Sequence, residues 1–205
     1  LRGKILNVAS ASAEKLRANQ ELNDLMQAIG CGTGENYNEN SLRYEKIIIM
    51  TDADVDGAHI ASLLMTFFYK QTPKLIENGH LFVAMPPLFR ITQGGQTYYA
   101  KDEAHKDAII NEQLSSKTKI EISRFKGLGE MPASQLKETT MCPEKRNLLK
   151  ITVPNLDCLE TNSMKSKPMT RLEVDKTVDT LMGKKPELRF EYLQENAKFV
   201  TSIDI

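Results

Sequence analysis

Three aspartates stand at alternate positions in one short segment of the chain. Asp52, Asp54 and Asp56 precede Gly57, and a continuous apolar run over 47–50 comes just before them. Side chains alternate along an extended segment, so the three carboxylates share one side of it. Carboxylate oxygens are the ligands that hard cations such as Mg²⁺ prefer. The segment therefore predicts a site at which at least two of these carboxylates converge on a metal ion.

Three other interpretations fit parts of the same segment. The spacing matches the start of an EF-hand calcium loop, but Leu63 stands at the twelfth position, where a bidentate Glu is needed. A haloacid-dehalogenase-like phosphatase also has Asp-x-Asp after an apolar strand, but usually carries Thr or Val where Asp56 stands. The purely structural alternative is that the aspartates solvate the end of a strand and cap the next helix.

Charge is unevenly distributed along a chain whose formal net charge is zero. Residues 35–59 contain six acidic and two basic residues, whereas residues 117–150 contain eight basic and four acidic ones. Local fields matter more for partners than the sum of charges does. A carboxylate cluster beside a basic surface suits metal-assisted chemistry on phosphodiesters.

Length and composition indicate a globular protein without structural metals or disulfides. The chain has 205 residues, of which 40% are hydrophobic, and this predicts one domain or a domain with an appendage. Cys31, Cys142 and Cys158 are odd in number and lack zinc-site spacing, which favours a reducing compartment.

No apolar run approaches the roughly 18 residues of a membrane span, so we expect no membrane association and a cytoplasmic location. The chain starts at Leu1, and we expect it to be a piece of a longer protein.

The residues around the aspartates predict a βαβ unit. The apolar run at 47–50 indicates a strand covered on both faces, as in parallel sheets. Apolar residues recur at helical spacing from Ile60 to Phe68, and Pro73 and Gly79 end the helical stretch before a second strand over 81–85. The active crevice of an open α/β sheet lies at the carboxyl ends of its strands, where the aspartates stand. The predicted fold class is α/β.

Flanking segments predict further helices and strands. We expect one helix within the first 30 residues, ended by Gly30, and a turn-rich loop over 30–41. After residue 90 the pattern predicts, in order, a hairpin turn at Gly94 and Gly95, a strand over 96–100, a helix over 102–114, a strand over 120–125, a helix over 133–149, a strand over 150–154, a polar stretch over 160–169, a helix over 170–182 and a helix over 187–199.

The segment 48–60 resembles the second metal motif of the TOPRIM domain in type IIA DNA topoisomerases. The resemblance extends over nearly the whole chain, to the B subunit of the bacterial enzymes. It is carried by four further segments: 1–7, 66–90, 124–131 and 181–185. Within the family, Arg2, Pro132 and 137–140 look more like topoisomerase IV than like DNA gyrase, which stays the alternative. Cys142 stands where an acidic residue is usual and receives no role.

The resemblance implies a fold and a division of the chain. Residues 1–90 would form a TOPRIM domain, a Rossmann-like parallel sheet flanked by helices, without its first, Glu-bearing motif. Residues 91–205 would form an α+β carboxyl-terminal tail region of the B subunit.

The same resemblance implies the metal site. Asp52 and Asp54 match the metal ligands of the family, and Asp56 is treated as a supporting carboxylate. The cation would be Mg²⁺, with Mn²⁺ or Ca²⁺ able to substitute. The acid/base Glu is expected upstream of Leu1, so no catalytic residue is assigned within this chain, and ATP would bind only to an N-terminal domain that lies further upstream.

DNA contacts are also implied. Lys4, Asn7, His59 and Arg189 fall on DNA-contacting positions of the family, and each is suited to bind phosphates. The alternatives are a solvated charge for Lys4, a turn residue for Asn7, an early-helix residue for His59 and an exposed helix face for Arg189. Arg124 and Lys126 flank a glycine turn that either lies near DNA or is a structural loop.

The partners implied are DNA, a topoisomerase A subunit that carries the catalytic tyrosine, and a second B subunit in a heterotetramer. The reaction would be an isomerisation: a tyrosine-linked break forms, a second duplex passes in an ATP-dependent step, and the break is resealed. We expect this chain by itself to be inactive. An alternative to an enzymatic function is that the chain is a non-catalytic interaction module whose carboxylates bind a structural ion.

Overall fold

A computed structural model describes residues 1–114, 119–154 and 169–199. The chain divides into two compact units. The first comprises Leu1–Ile47, Ser62–Leu81 and the described residues from Ile151 onward, and the second comprises Ile48–Ala61 and the described residues of Phe82–Lys150.

The amino-terminal segment contains two helices where the sequence predicts one. Helix α1 spans Ala13–Ala18 and helix α2 spans Gln20–Ile29. Asn19 separates them because its backbone is extended and its side chain accepts a hydrogen bond from the Leu22 N–H, which makes it the N-cap of α2. The prediction of a single helix is therefore wrong, whereas Gly30 ends α2 as predicted, with a φ of 85°.

The predicted βαβ unit is confirmed. Strand β1 (Ile47–Ile49) leads to helices α3 (Val55–Gln71) and α4 (Pro73–Glu77), and strand β2 (Leu81–Ala84) follows. The predicted apolar face of α3 is buried at Leu63, Leu64, Phe67 and Phe68. Strands β1 and β2 are neighbours in one sheet, so the α/β class is confirmed.

A third strand joins this sheet beside β2, and its position corrects the prediction for this part of the chain. Strand β6 (Leu148–Lys150) pairs antiparallel with β2, so the strand expected over 150–154 is wrong. The helix expected over 133–149 starts as predicted but its extent is wrong: α6 spans Ala133–Leu136, and the π-helical turn Lys137–Met141 that follows it is the last helical part. The turn ends because Cys142 precedes Pro143, which disfavours a helical backbone at Cys142.

The second sheet contains the predicted hairpin. Its strands are β3 (Phe89–Gln93), β4 (Gln96–Ala100) and β5 (Glu121–Arg124), in the order β4-β3-β5. Gly94 and Gly95 both have positive φ, as a two-residue turn of type I′ requires. Helix α5 (Glu103–Gln113) is capped by Asp102, and its Ile109 packs into a core with Phe89, Ile91 and Ala100.

Helices α7 (Arg171–Met182) and α8 (Pro186–Asn196) follow, and a short 3₁₀ turn ends the described chain. Both helices are predicted, whereas the polar stretch expected over 160–169 lies outside the described residues up to 168. Helix α7 is tied to α3 by the Tyr69 hydroxyl, which donates to Asp175 at 2.9 Å, and by Lys70, which pairs with Asp179 at 2.9 Å. Burial and the bond to Asp175 raise the pKa of Tyr69 to about 12.

Within the described ranges, no helix is both long enough and apolar enough to cross a membrane.

His80 links the start of β2 to the loop before β1. Its Nδ1 lies 2.7 Å from the Glu45 carbonyl oxygen, and its Nε2 lies 2.9 Å from a carboxylate oxygen of Glu39. Both ring nitrogens can donate only when the imidazole is protonated. These two acceptors, the Glu45 carbonyl first and then Glu39, raise the pKa of His80 above its ordinary value of 6.5.

We predict that this contact makes stability depend on pH. Because the pKa is raised on folding, the stabilisation is fully present below the unfolded pKa of about 6.5 and is lost as the pH rises through the folded-state pKa. His80→Gln should lower the urea midpoint most below about pH 6.5 and least at higher pH. His59→Gln, at an exposed position of α3, serves as the control. An equal loss for His80→Gln at all pH values would contradict the prediction.

Candidate metal centre and nucleic-acid interface

The connection between β1 and α3 holds Asp52 and Asp54, and Asp56 is the second residue of α3; all three side chains are exposed. Oδ1 of Asp54 accepts a hydrogen bond from the Gly57 N–H at 2.7 Å, and the backbone carbonyl of Asp54 accepts one from the Ala58 N–H at 3.0 Å. Asp54 is therefore the N-cap of α3, as the structural alternative predicted. Asp56 lies in the first turn of α3, where a negative charge interacts favourably with the helix dipole.

Gly57 is required by a close approach of the backbone. A Cβ at this position would lie 2.1 Å from the backbone oxygen of Asp52, a distance that no side chain tolerates. The glycine that completes the EF-hand-like spacing thus serves chain packing at the start of a helix. Leu63, at the supposed twelfth ligand position, is buried in α3 with 3% exposure, so the EF-hand interpretation is wrong.

Asp52 is held by a segment from the other end of the second unit. Its Oδ1 accepts a hydrogen bond of 2.7 Å from the backbone N–H of Leu128, 76 residues away. A Cβ on the neighbouring Gly127 would lie 3.1 Å from the same oxygen. Sequence reasoning singled out this glycine turn, but no local pattern shows that it contacts Asp52.

The oxygen donors of this connection fit a hard divalent cation. Oδ1 of Asp52 and Oδ1 of Asp54 each accept a backbone N–H, and among the described residues the second oxygen of each carboxylate makes no hydrogen bond. Exposed carboxylates with waters completing the shell suit Mg²⁺ better than a closed zinc site. Across the described ranges, no group of three or more His, Cys, Asp or Glu side chains is arranged to hold a metal. The local donor set is thus two aspartates.

Two predicted DNA-binding residues lie on the segment that contacts Asp52. Arg124 ends β5 and Lys126 begins the glycine turn, and both side chains are exposed. The backbone N–H of Lys126 donates to the Glu130 carboxylate at 2.8 Å. The structure therefore brings this basic pair and Asp52 into one part of the second unit.

Asn7 and Arg189 converge in the first unit on the carboxyl end of α7. The Asn7 amide donates to the Met182 carbonyl at 2.9 Å, while the Arg189 guanidinium donates to the Leu181 and Gly183 carbonyls at 2.6 and 3.1 Å. These contacts satisfy carbonyls that a helix end leaves without partners. Arg189 is half-buried, so the alternative of an exposed helix face is wrong for it.

Asn7 also shapes its own turn, because its side-chain oxygen accepts the Ala9 N–H at 3.1 Å. The turn-residue alternative for Asn7 is thus confirmed as a structural role. Lys4 and His59 are exposed, Lys4 near the amino end of the first unit and His59 early in α3.

Comparison with known proteins places these residues in a family. The model of the Toprim domain matches residues 1–86, and the model of the DNA gyrase B subunit carboxyl terminus matches residues 117–194. The B subunit of DNA topoisomerase 4 from Bartonella bacilliformis is 55% identical over 205 residues, covering 100% of this chain and 28% of the relative. The one from Caulobacter vibrioides is 57% identical over 202 residues, covering 98% of this chain and 27% of the relative.

The chain belongs to the B subunits of type IIA DNA topoisomerases. The DNA gyrase B subunit from Halalkalibacterium halodurans is also similar, with 43% identity over 205 residues, covering 100% of this chain and 30% of the relative. The higher identity to the topoisomerase 4 relatives agrees with the predicted preference within the family. The chain spans less than a third of the length of these relatives.

In this B-subunit chain the Toprim match contains the aspartate connection, and Toprim domains of topoisomerases bind divalent metal. The carboxyl-terminal match contains the glycine turn and Arg189.

We predict that Gly57→Ala destabilises this B-subunit chain by about 1–3 kcal/mol, because the new methyl group collides with the Asp52 backbone. Urea unfolding at neutral pH measures the change. Gly129→Ala is the matched control, since a Cβ there meets nothing within 4 Å. Equal midpoints for the two variants would show that the connection relaxes freely around position 57.

We predict that Arg189→Met lowers the free energy of unfolding by about 1–3 kcal/mol, because it removes charged donors from partly buried carbonyl groups. The exposed Lys184→Met should change the free energy of unfolding by less than about 0.5 kcal/mol. Chemical denaturation without DNA makes the comparison. If Arg189→Met were as stable as Lys184→Met, the contact with the end of α7 would contribute nothing to folding.

Proposed function

We propose that this chain supplies part of the DNA cleavage and religation core of a type IIA topoisomerase of the topoisomerase IV kind. The whole enzyme would decatenate and relax DNA by ATP-dependent passage of one duplex through another, without net change in covalent bonds. One observation carries the proposal: within the Toprim match, Asp52 and Asp54 each present a second carboxylate oxygen that the described chain leaves unbonded. The division into a TOPRIM domain over 1–90 and a tail region over 91–205 stays a prediction.

Asp52 and Asp54 would hold Mg²⁺, and Asp56 would add negative charge nearby. A bound Mg²⁺ stabilises the charge that develops on a scissile phosphate and its leaving oxygen. The chain's own contribution is orientation, because each aspartate has one oxygen tied to a backbone N–H and so presents the other in a restricted direction. The acid/base Glu is expected from the segment upstream of Leu1.

DNA would be bound through its phosphates. Exposed Lys4, His59, Arg124 and Lys126 can donate to phosphate oxygens directly. Asn7 and Arg189 already donate to the end of α7, and each retains donors beyond those in the described bonds. Contacts of this kind position a duplex without reading its base sequence.

The proposed partners follow from the resemblance to type IIA topoisomerases. A topoisomerase A subunit would bring the catalytic tyrosine, and a second B subunit would complete a heterotetramer that acts on both strands. ATP would bind to a domain upstream of this chain. The predicted cytoplasmic location is where the DNA substrate lies in bacteria.

Asp54→Asn separates the proposed metal role from the capping role. Asn caps helices as well as Asp does and keeps an acceptor for the Gly57 N–H, but it removes the carboxylate charge. In the full-length B subunit with its A subunit, we expect this variant to keep its unfolding midpoint and to lose metal-dependent cleavage of supercoiled plasmid by at least about 100-fold. The expected size follows from the several kcal/mol that a metal contributes to charge stabilisation.

Asp24→Asn, on the exposed face of α2, is the matched control for loss of one carboxylate. The enzyme with this substitution should cleave plasmid at the same rate as the unsubstituted enzyme. Full cleavage by Asp54→Asn would support instead the interaction-module hypothesis, in which these carboxylates have no catalytic task.

A further inference from the structure

The segment that reaches Asp52 is anchored at both ends. Phe125 and Met131 flank it and are 7% and 6% exposed. The Phe125 N–H donates to the Leu88 carbonyl at 2.8 Å, which fixes the segment to the residue just before β3. The residues between them form one wall of a small space that Ala53 and Pro86 also line. The turn is therefore packed directly against the aspartate connection.

Internal hydrogen bonds restrict the turn further. The Glu130 carboxylate accepts the Lys126 N–H at 2.8 Å, and the Glu130 N–H donates to the Gly127 carbonyl at 3.2 Å. The Met131 N–H donates to the Leu128 carbonyl at 3.1 Å. These bonds use the N–H groups of Lys126, Glu130 and Met131, whereas the N–H of Leu128 donates to Asp52.

The contact with Asp52 depends on the shape of the turn as well as on its donor. Gly127 has an extended backbone, which any residue can adopt, so its conformation does not explain the glycine. The lack of a side chain explains why residue 127 is glycine, because a Cβ would lie 3.1 Å from Oδ1 and 3.2 Å from Cγ of Asp52. Glycine at this position lets the backbone come within hydrogen-bonding distance of the carboxylate.

We propose that the Gly127–Leu128 turn is a positioning element for the metal ligand Asp52. It holds Oδ1 through the Leu128 N–H, so that Oδ2 would be the oxygen offered to a cation, with fewer side-chain rotamers to sample. Groups that orient a ligand in this way contribute to metal affinity although they never contact the metal. This inference rests on the proposed function, because it assigns the turn to the same metal site.

Leu128→Pro tests the donor. Leu128 is the first residue of a 3₁₀ turn, a position that tolerates proline, and the extended Gly127 before it is compatible with a following proline. The substitution therefore removes the N–H and places the proline Cδ where the amide hydrogen lay, so Oδ1 of Asp52 loses its donor and is displaced from the turn. The measurement is a Mg²⁺ titration of this chain, followed by the ¹³C resonance of the Asp52 carboxyl group. We expect about tenfold weaker Mg²⁺ binding, with the urea midpoint nearly unchanged.

Gly127→Ala tests the close approach, and Gly129→Ala is its control in the same turn. A Cβ on Gly129 meets nothing within 4 Å, so this variant should bind Mg²⁺ as the unsubstituted chain does. Gly127→Ala should weaken binding by a factor of about three to ten, since the methyl group pushes the carboxylate away. In the unsubstituted chain, the Leu128 amide proton should shift with the same Mg²⁺ midpoint as the Asp52 carbon.

Equal Mg²⁺ affinities in the unsubstituted chain, Leu128→Pro and Gly127→Ala would overturn the positioning role and leave the metal site itself intact. Weakening by Gly129→Ala as large as that by Gly127→Ala would also overturn it, because the effect would then not depend on proximity to Asp52. By contrast, a lack of any Asp52 response to Mg²⁺ in the unsubstituted chain would refute the metal site of the proposed function.

Discussion

Carboxylates placed close together on a chain repel one another unless backbone donors or a cation offset their charge. This constraint governs the segment that runs from β1 into the first turn of α3, where three aspartates stand within five residues. Backbone N–H groups reach two of them, from the first turn of α3 and from the glycine turn after β5. One donor is Gly57 itself and the other, Leu128, follows Gly127. At both glycines an added Cβ would lie too close to Asp52.

Several residues proposed to act on metal or DNA also stabilise the fold. Asp54 caps α3, Asn7 shapes a turn, and Arg189 satisfies carbonyls at the end of α7. A side chain held in this way loses less conformational entropy when it binds a ligand. The structural and functional interpretations of these positions are therefore compatible, and variants that keep one hydrogen bond while removing one charge can separate them.

Elements with a strong internal pattern could be predicted from the sequence. The apolar stripe of α3, the hairpin at Gly94 and Gly95, and the extents of α5 and α7 depend on local periodicity and on capping residues. Predictions failed where a single residue or a distant strand decided the outcome. Asn19 divides the first helix, and β6 forms at Leu148–Lys150 because those residues pair with β2 rather than because of their own preference.

The sequence by itself determined the chemistry of this protein, namely the aspartates after an apolar strand, the basic residues around a glycine turn and the resemblance to a topoisomerase family. The tertiary structure decided which groups meet. It placed the Leu128 N–H on Asp52 and the Arg189 guanidinium on the end of α7. A hydrogen bond between residues 76 positions apart leaves no local periodic signal, because its geometry depends on how the intervening strands and helices pack.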